Sequence, residues 1–308
     1  MLVNKKTVFL VIFLLVVIVI YTILFPRMFD VSSKDLEEKQ YVSWGTSEMG
    51  LEEFSVEVIP NRSLNIAVLD SGVNFNHPDF ENKILDGYNT IEPNEKPWDD
   101  NGHGTLVTGI LAAQNNSIGI VGIIPHVNIF PVKVLDEFGE GEILDVVEGI
   151  DWCIENSIDI INMSFSLNYD NQILNDAIHK ALDSGIIIVS SATNGRDYDV
   201  GYPASYNGVI SVVAVNEKLK IYEESSKGKI DYAAPGVDIF STGLNNDYQK
   251  IDGNSIATPH ITGLIALLLS QTNESLTNQD VIDYLNDNVI DLGNRGFDPI
   301  YGYGFVKF

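Results

Sequence analysis

Three stretches of the chain carry side chains able to do nucleophilic chemistry, in the order aspartate, histidine, serine. Asp70 closes the run Asn65-Ile66-Ala67-Val68-Leu69-Asp70 and is followed by Ser71-Gly72; His103 lies in Asn101-Gly102-His103-Gly104-Thr105; Ser255 lies in Gly253-Asn254-Ser255-Ile256-Ala257-Thr258-Pro259-His260. Ser255 directly precedes an apolar run reaching Leu269, which places it in the first turn of a helix, with Pro259 early enough to be tolerated. Unpaired N–H groups and a partial positive charge at such an end suit an oxygen that must become alkoxide-like. A histidine can take the serine proton, and a carboxylate can fix that histidine's tautomer and stabilise the imidazolium. Each residue also has a plainer reading: Ser255 as an N-cap, Asp70 as a turn former, His103 as a polar helix-capping residue. Singly the readings balance; it is their conjunction that favours catalysis.

Such residues need a frame, and the hydrophobic pattern supplies one. Asn65–Asp70 is a short continuous apolar run, the mark of a strand buried on both faces. Further strands are expected over Val127–Leu135, Ile158–Met163, Ile186–Val189 and Val209–Val215, and helices over Gly104–Ala113, Glu142–Asn156 and Ile173–Ser184. The alternation implies an α/β fold with a doubly wound, mainly parallel sheet and helices on both faces. In such sheets function gathers beyond the carboxyl ends of the strands, where Asp70, Ser164 and Asn194 fall.

Composition bounds the rest. The chain has 308 residues, 45% hydrophobic, enough for a full core. A formal charge of −25 argues against a nucleic-acid partner and for a solvated acidic surface. The single cysteine, Cys153, has no intramolecular partner and is expected in a helical core position. No pair among the five histidines has zinc-ligand spacing, so no catalytic metal is expected.

Thr7 to Phe25 is nineteen residues without a charge, preceded by Lys5 and Lys6. As a helix it would span roughly 28 Å, enough for a bilayer core. It ends Leu24-Phe25-Pro26-Arg27 without a small-residue cleavage site, which favours an uncleaved signal anchor over a secreted form. The expected organisation is a short cytoplasmic N-terminus (1–6), one transmembrane helix (7–25), a tether (26–39) and a single extracytoplasmic domain (40–308) on the cell membrane. Oligomeric state stays open.

With these blocks in order, the sequence resembles the subtilisin family of serine proteases. The resemblance rests on Asp70-Ser71-Gly72 with His77-Pro78-Asp79, on Asn101–Thr105 and on Gly253–His260. It extends through Val132-Lys133-Val134-Leu135, Ile161-Asn162-Met163-Ser164, Tyr202-Pro203-Ala204 and Ala233-Ala234-Pro235-Gly236. It implies Ser255 as nucleophile, His103 as base, Asp70 as orienting acid and Asn194 as side-chain donor of an oxyanion hole. It also implies Ser164, Phe165, Ser166 and Gly201 as substrate-binding positions. Gly201 matches the base of the primary specificity pocket, which suggests a large apolar residue before the scissile bond; Asp197 and Asp199 on the same loop suggest a basic one. The expected activity is endopeptidase cleavage, degradative or processing, as in family members that remove leader peptides; a catalytically silent binding protein is the alternative.

The resemblance further implies one structural calcium ion. Gln114–Ile120 resembles the family's calcium loop, Asp79 its bidentate carboxylate and Gln40 a further oxygen donor. The expected ligands are Gln40, Asp79, Asn116 and the carbonyls of Gln114, Ile118 and Ile120, an all-oxygen shell of the kind calcium takes. Six residues depart from the family pattern: Asn254 and Ile256 beside the expected nucleophile, Leu106 where a second histidine is common, Ser166 and Thr193 at positions that are usually glycine, and Gln114 where an apolar residue is usual. Val42–Gly45 resembles the start of a mature domain, leaving no room between Phe25 and Gln40 for a folded pro-domain.

Overall fold

The computed structural model describes Leu36 and residues 39–52, 61–80, 83–272 and 276–308; the expected membrane segment, Thr7–Phe25, lies outside them. The central strands in chain order are β1 (Tyr41–Val42), β2 (Asn65–Asp70), β3 (Tyr88–Asn89), β4 (Ile120–Val121), β5 (Asn128–Lys133), β6 (Ile160–Met163), β7 (Ile187–Ser191), β8 (Ile210–Val215) and β9 (Tyr232–Pro235). After them come a hairpin, β10 (Ile239–Thr242) with β11 (Tyr248–Ile251), and two short strands, β12 (Val289–Ile290) and β13 (Phe305–Val306). The helices are α1 (Trp44–Glu48), α2 (His103–Ala112), α3 (Ile143–Glu155), α4 (Gln172–Asp183), α5 (Asn254–Gln271) and α6 (Asn278–Asp287).

Nine strands form one sheet in the order β12-β13-β9-β8-β7-β6-β2-β5-β3, parallel throughout except for the β12–β13 pair at its edge. Side-chain alternation along a strand explains why both faces are covered. In β2, Ile66 and Val68 join the core formed with α2, α5 and α6, whereas Ala67 and Leu69 join the one formed with α3 and α4. At about 1.5–3 kcal/mol for each large apolar side chain buried, both layers contribute heavily to holding the sheet. Cys153 is buried among the α3–α4 layer, as its sequence setting suggests.

The chain runs from β2 to β5 on one side and returns to β6 on the other. The strand order therefore reverses at β2, and the crevice of a doubly wound sheet opens where that reversal occurs. Asp70 is the last residue of β2, and Met163, the last of β6, pairs with the residue before it.

Within the described residues the expected strands and helices form, with ends displaced by one or two residues where terminal turns fray. The sequence reading did not extend to β9–β13 or α6. Among the described residues no helix is long and apolar enough to cross a membrane. α5, apolar on all sides, is instead enclosed by protein: fifteen of its eighteen residues are buried, and Ser255 is one of the three that are not.

That enclosure has a pH consequence at His260. Its Nδ1 lies 3.0 Å from the Ile256 carbonyl, and its fully buried Nε2 has no hydrogen-bond partner. Burial pushes its pKa down to about 4 from 6.5. The unfolded chain therefore takes up this proton first as the pH falls. The stability that neutral His260 allows is complete above pH 6.5 and is lost between there and pH 4, by about 3 kcal/mol. In Ser255→Ala protein, which cannot digest itself, His260→Gln should be less stable than the parent at pH 7. The gap should narrow by about 2–3 kcal/mol at pH 4.5. A gap independent of pH contradicts the assignment.

Candidate active site

Each candidate catalytic group is delivered by a strand end or a helix start. Asp70 ends β2 and is 1% exposed; His103 opens α2 and keeps about a quarter of its side chain exposed, 27%. Gly104 is what lets these two elements meet. A Cβ there would stand 2.1 Å from the Gly72 carbonyl oxygen, so only glycine allows α2 to lie against the turn after Asp70. His103 Nδ1 then sits 2.8 Å from Asp70 Oδ1 and 3.0 Å from Oδ2, while Oδ1 also accepts the Ser71 N–H at 2.8 Å. With an ionised Asp70 the proton of a neutral imidazole belongs on Nδ1, leaving Nε2 as the basic nitrogen. Burial lowers the pKa of His103, but the Asp70 carboxylate, and after it Asp99, outweigh burial and hold it above the ordinary value.

Ser255 is the second residue of α5. Gly253 is the N-cap, and no side chain caps the helix, so the reading of Ser255 as a structural cap does not hold. Pro259 is also deeper than expected, inside the helix. It has no N–H for the Ser255 carbonyl four residues back. Ser164 takes that place, its hydroxyl donating to the Ser255 carbonyl at 2.9 Å. Behind Ser164 stand the Asn162 amide, donating to Ser164 Oγ at 3.0 Å, and Thr262 on α5, donating to Asn162 Oδ1 at 2.8 Å. The missing helix bond thus becomes a side-chain relay tying the Ser255 turn to the end of β6.

Asn194 lies three residues past β7, exposed at the same crevice. Its Oδ1 accepts the Asn254 N–H at 3.2 Å, which fixes which way the amide faces. A Cβ built on Gly253 would lie 3.3 Å from Ser255 Oγ and 3.8 Å from Asn194 Nδ2, so both border the same small space. Asn254, the departure next to the nucleophile, is fully buried and satisfied: Oδ1 accepts from the Ala214 N–H and the Ser225 hydroxyl, and Nδ2 donates to the Thr193 carbonyl at 3.0 Å. It joins β8, the Asn194 segment and the start of α5.

A site of this shape, with a carboxylate-held histidine and a serine on a buried helix beside an amide donor, can run acyl transfer. Residues 61–304 match the model of the subtilase family, peptidase S8. The chain belongs to the subtilase family of serine-type endopeptidases. This subtilase is 38% identical over 268 residues to a thermostable alkaline protease of Halalkalibacterium halodurans, covering 87% of this chain and 72% of the other. It is 37% identical over 277 residues to subtilisin E of Bacillus subtilis, covering 88% and 71%. Against the minor extracellular protease Epr of Bacillus subtilis the identity is 37% over 270 residues, and the chain spans 41% of that protein's length. Among solved structures it is similar to sphericase, with a TM-score of 0.78 and 28% identity, covering 86% of this chain and 97% of that one.

The positions expected to bind substrate take a less open form than their sequence suggests. Ser164 directs its hydroxyl to the Ser255 carbonyl, so its contact to a substrate would come from the backbone. Leu167 and Tyr202 exchange backbone hydrogen bonds at 2.7 and 2.8 Å, closing the end of the Ser164–Ser166 segment onto the Gly201 loop. A Cβ on Gly201 would meet the Leu167 carbonyl at 2.4 Å and Thr193 Oγ1 at 2.7 Å. Glycine is required there by the approach of those groups. Thr193 Oγ1 accepts the Gly201 N–H at 2.7 Å, so this departure braces the loop. Phe165 and Ser166 are half-buried, and Asp197 and Asp199 are exposed.

The calcium-loop residues also converge. Parallel pairing of β1 with β4 brings Gln40 to the loop, where its amide Nε2 faces the Gln114 carbonyl at 2.8 Å, the Ile118 carbonyl at 3.2 Å and Asn116 Oδ1 at 3.5 Å. Asp79, wholly buried, accepts from Asn116 Nδ2 and from the Ile120 N–H. Burial drives its pKa up to about 6 in spite of those bonds. Asp79 is the only carboxylate among the six expected ligands. Of the other histidines, His77 is buried with Nε2 on the Asp247 carbonyl and Nδ1 accepting the Asp79 N–H, and His126 and His179 are exposed.

Two residues of the site escaped the sequence reading in this role. Lys133, at the end of β5, is buried with its ammonium on the Ser71 carbonyl at 2.8 Å, the Leu135 carbonyl at 3.0 Å and Asp100 at 2.6 Å. Asp99 grips Ser71 from the other side. The signal for both was present, a lysine in the Val132–Leu135 block and an aspartate just before the His103 helix. Nothing in spacing alone shows that both converge on the turn after Asp70.

Proposed function

We propose that this subtilase cleaves peptide bonds with Ser255 as nucleophile, His103 as base and acid, Asp70 as its orienting carboxylate and Asn194 as an oxyanion donor. The observation that carries this reading is the contact of His103 Nδ1 with both Asp70 oxygens, at 2.8 and 3.0 Å, on a helix packed against the Ser255 helix. Ser255 Oγ attacks the scissile carbonyl as its proton passes to His103 Nε2. The tetrahedral oxyanion meets the Asn194 amide and the backbone N–H at the start of α5. His103 then returns the proton to the leaving amine, and a water deprotonated by the same nitrogen releases the acyl group. Because the pKa of His103 is held up, the neutral base is in the minority until the pH exceeds the ordinary histidine value, and activity should favour neutral to alkaline pH.

The substrate class is a peptide or an unfolded segment of a protein, for degradation or for limited processing. The sequence of Thr7–Phe25 supports a single-pass anchor with the peptidase domain outside the cytoplasm. One fractionation tests both proposals. Peptide-releasing activity of the full chain should sediment with membranes, resist carbonate washing and stop on treatment with a fluorophosphonate. Fluorophosphonate-insensitive release contradicts the chemistry, and fully soluble activity contradicts the anchor.

The donor set Gln40, Asp79, Gln114, Asn116, Ile118 and Ile120 fits calcium. A buried carboxylate whose pKa is already raised gains from a cation, and turning the Gln40 amide over, at the loss of the Ser117 N–H that its Oε1 now accepts at 3.2 Å, aims its oxygen at the carbonyls its N–H groups now face. Calcium there would supply stability, far from the chemistry. For full-length Ser255→Ala protein, a hundredfold excess over Kd should add about 2.7 kcal/mol. The melting temperature should fall with chelator, and Asp79→Ala should reproduce the fall. A melting temperature indifferent to both calcium and chelator removes the site.

A further inference from the structure

His103 stands at the N-terminus of a ten-residue helix, α2. Such an end carries about half a positive charge, and that field opposes the imidazolium His103 must become on taking the Ser255 proton. The N-cap, Gly102, has no side chain to offset it. Asp99 does what the cap cannot. Its Oδ1 accepts the Ser71 hydroxyl at 2.8 Å, the Gly102 N–H at 2.8 Å and the Asn101 N–H at 3.1 Å. Its Oδ2 accepts the Thr105 N–H at 2.8 Å and the Thr105 hydroxyl at 2.5 Å. Three N–H groups and two hydroxyls thus converge on one carboxyl group, 8% exposed, at the helix end.

The other charged groups around His103 differ in kind. Asp70 faces it from β2 as its direct hydrogen-bond partner. Asp100, half exposed, is neutralised by Lys133 from β5 at 2.6 Å. Among the described residues no side-chain cation pairs with Asp99. Asp99 also reaches the Asp70 turn: the Ser71 Oγ that donates to it accepts the Gly104 N–H at 3.0 Å, and the Ser71 N–H binds Asp70 Oδ1. Neutralising the helix end and bracing Asp70 are thus built into one side chain.

We propose that Asp99 is a positioning residue of the reaction, cancelling the helix-end field at His103 and fixing, through Ser71, the turn that aims Asp70. The proposal rests on His103 being the general base.

The test is the pH dependence of kcat/KM of the full-length protein on a small chromogenic peptide, normalised by active-site titration. Asp99→Asn keeps the shape and removes the charge. The acid limb should move down by roughly half a pH unit, because the imidazolium loses a stabilising anion. kcat should fall while KM stays within a few-fold. Thr105→Val removes one of the Asp99 hydrogen bonds and keeps the charge, so it should lower the melting temperature without moving the limb. An unmoved limb in Asp99→Asn, or an equal shift in Thr105→Val, makes Asp99 a structural cap and overturns the proposal. Asp99→Ser, a shorter neutral acceptor, serves if asparagine is not tolerated; if neither neutral variant yields titratable sites, the proposal falls. Failure of the parent protein to hydrolyse any peptide would instead remove the triad reading on which it stands.

Discussion

Ser255→Ala and His103→Ala are each expected to reduce kcat by roughly a million-fold while leaving the fold intact; that magnitude belongs to subtilisin itself and is not obtained from the distances here. The two losses should be alike because the groups act as one unit: without the base the hydroxyl keeps its proton, and without the hydroxyl the base has nothing to activate. The double variant should therefore be scarcely worse than either single one. Ser255 is only partly buried and its side chain caps nothing, so alanine at this position should leave the unfolding free energy within about 0.5 kcal/mol of the parent. Removing the His103 ring is different, since it leaves the Asp70 carboxylate, 1% exposed, without its main partner. A modest drop in stability is expected there. Steady-state hydrolysis together with thermal unfolding checks both statements. Near-normal turnover by either variant would contradict the roles assigned.

Asp70→Asn should cost about 10⁴-fold in kcat, the loss seen when the corresponding aspartate of another serine protease is made neutral. Here the reason lies in the Ser71 contact. Oδ1 receives the Ser71 N–H at 2.8 Å, so the carbonyl of an asparagine is drawn to that side. Its NH₂ then faces His103 Nδ1, which must accept instead of donate. The proton moves to Nε2, and the nitrogen that should take the Ser255 proton already holds one. Substrate affinity should change little, because Asp70 lies behind the imidazole. A split with kcat down and KM within a few-fold is the expected signature. A loss of kcat that comes with a raised KM and a lower melting temperature would point to misfolding in place of tautomer reversal.

The sheet was legible because β2 and β7 are apolar on both faces, a pattern fit only for the middle of a two-layer α/β fold. The edge strands were not, since β12 and β13 are two residues each and owe their pairing to their neighbours. Candidate catalytic residues could be named because Asp70, His103 and Ser255 sit in short blocks whose order is itself a signature. What spacing could not show was how backbone groups are satisfied. Pro259 reads as a tolerated helix breaker, but the carbonyl it strands is what orients Ser164. Gly201 reads as room for a substrate side chain, whereas its missing Cβ admits the Leu167 carbonyl. Both belong to contacts between segments far apart in the chain, and no local pattern encodes them.

The central claim is that Ser255 is made nucleophilic by His103. The most direct measurement is reaction of the full-length protein with a fluorophosphonate, the site of the adduct being read by peptide mass spectrometry. One phosphonyl group per chain on Ser255 is predicted, with labelling lost in His103→Ala and slowed at acid pH as His103 becomes protonated. A folded parent chain that takes no label, or one that carries it on a residue other than Ser255, would contradict the account.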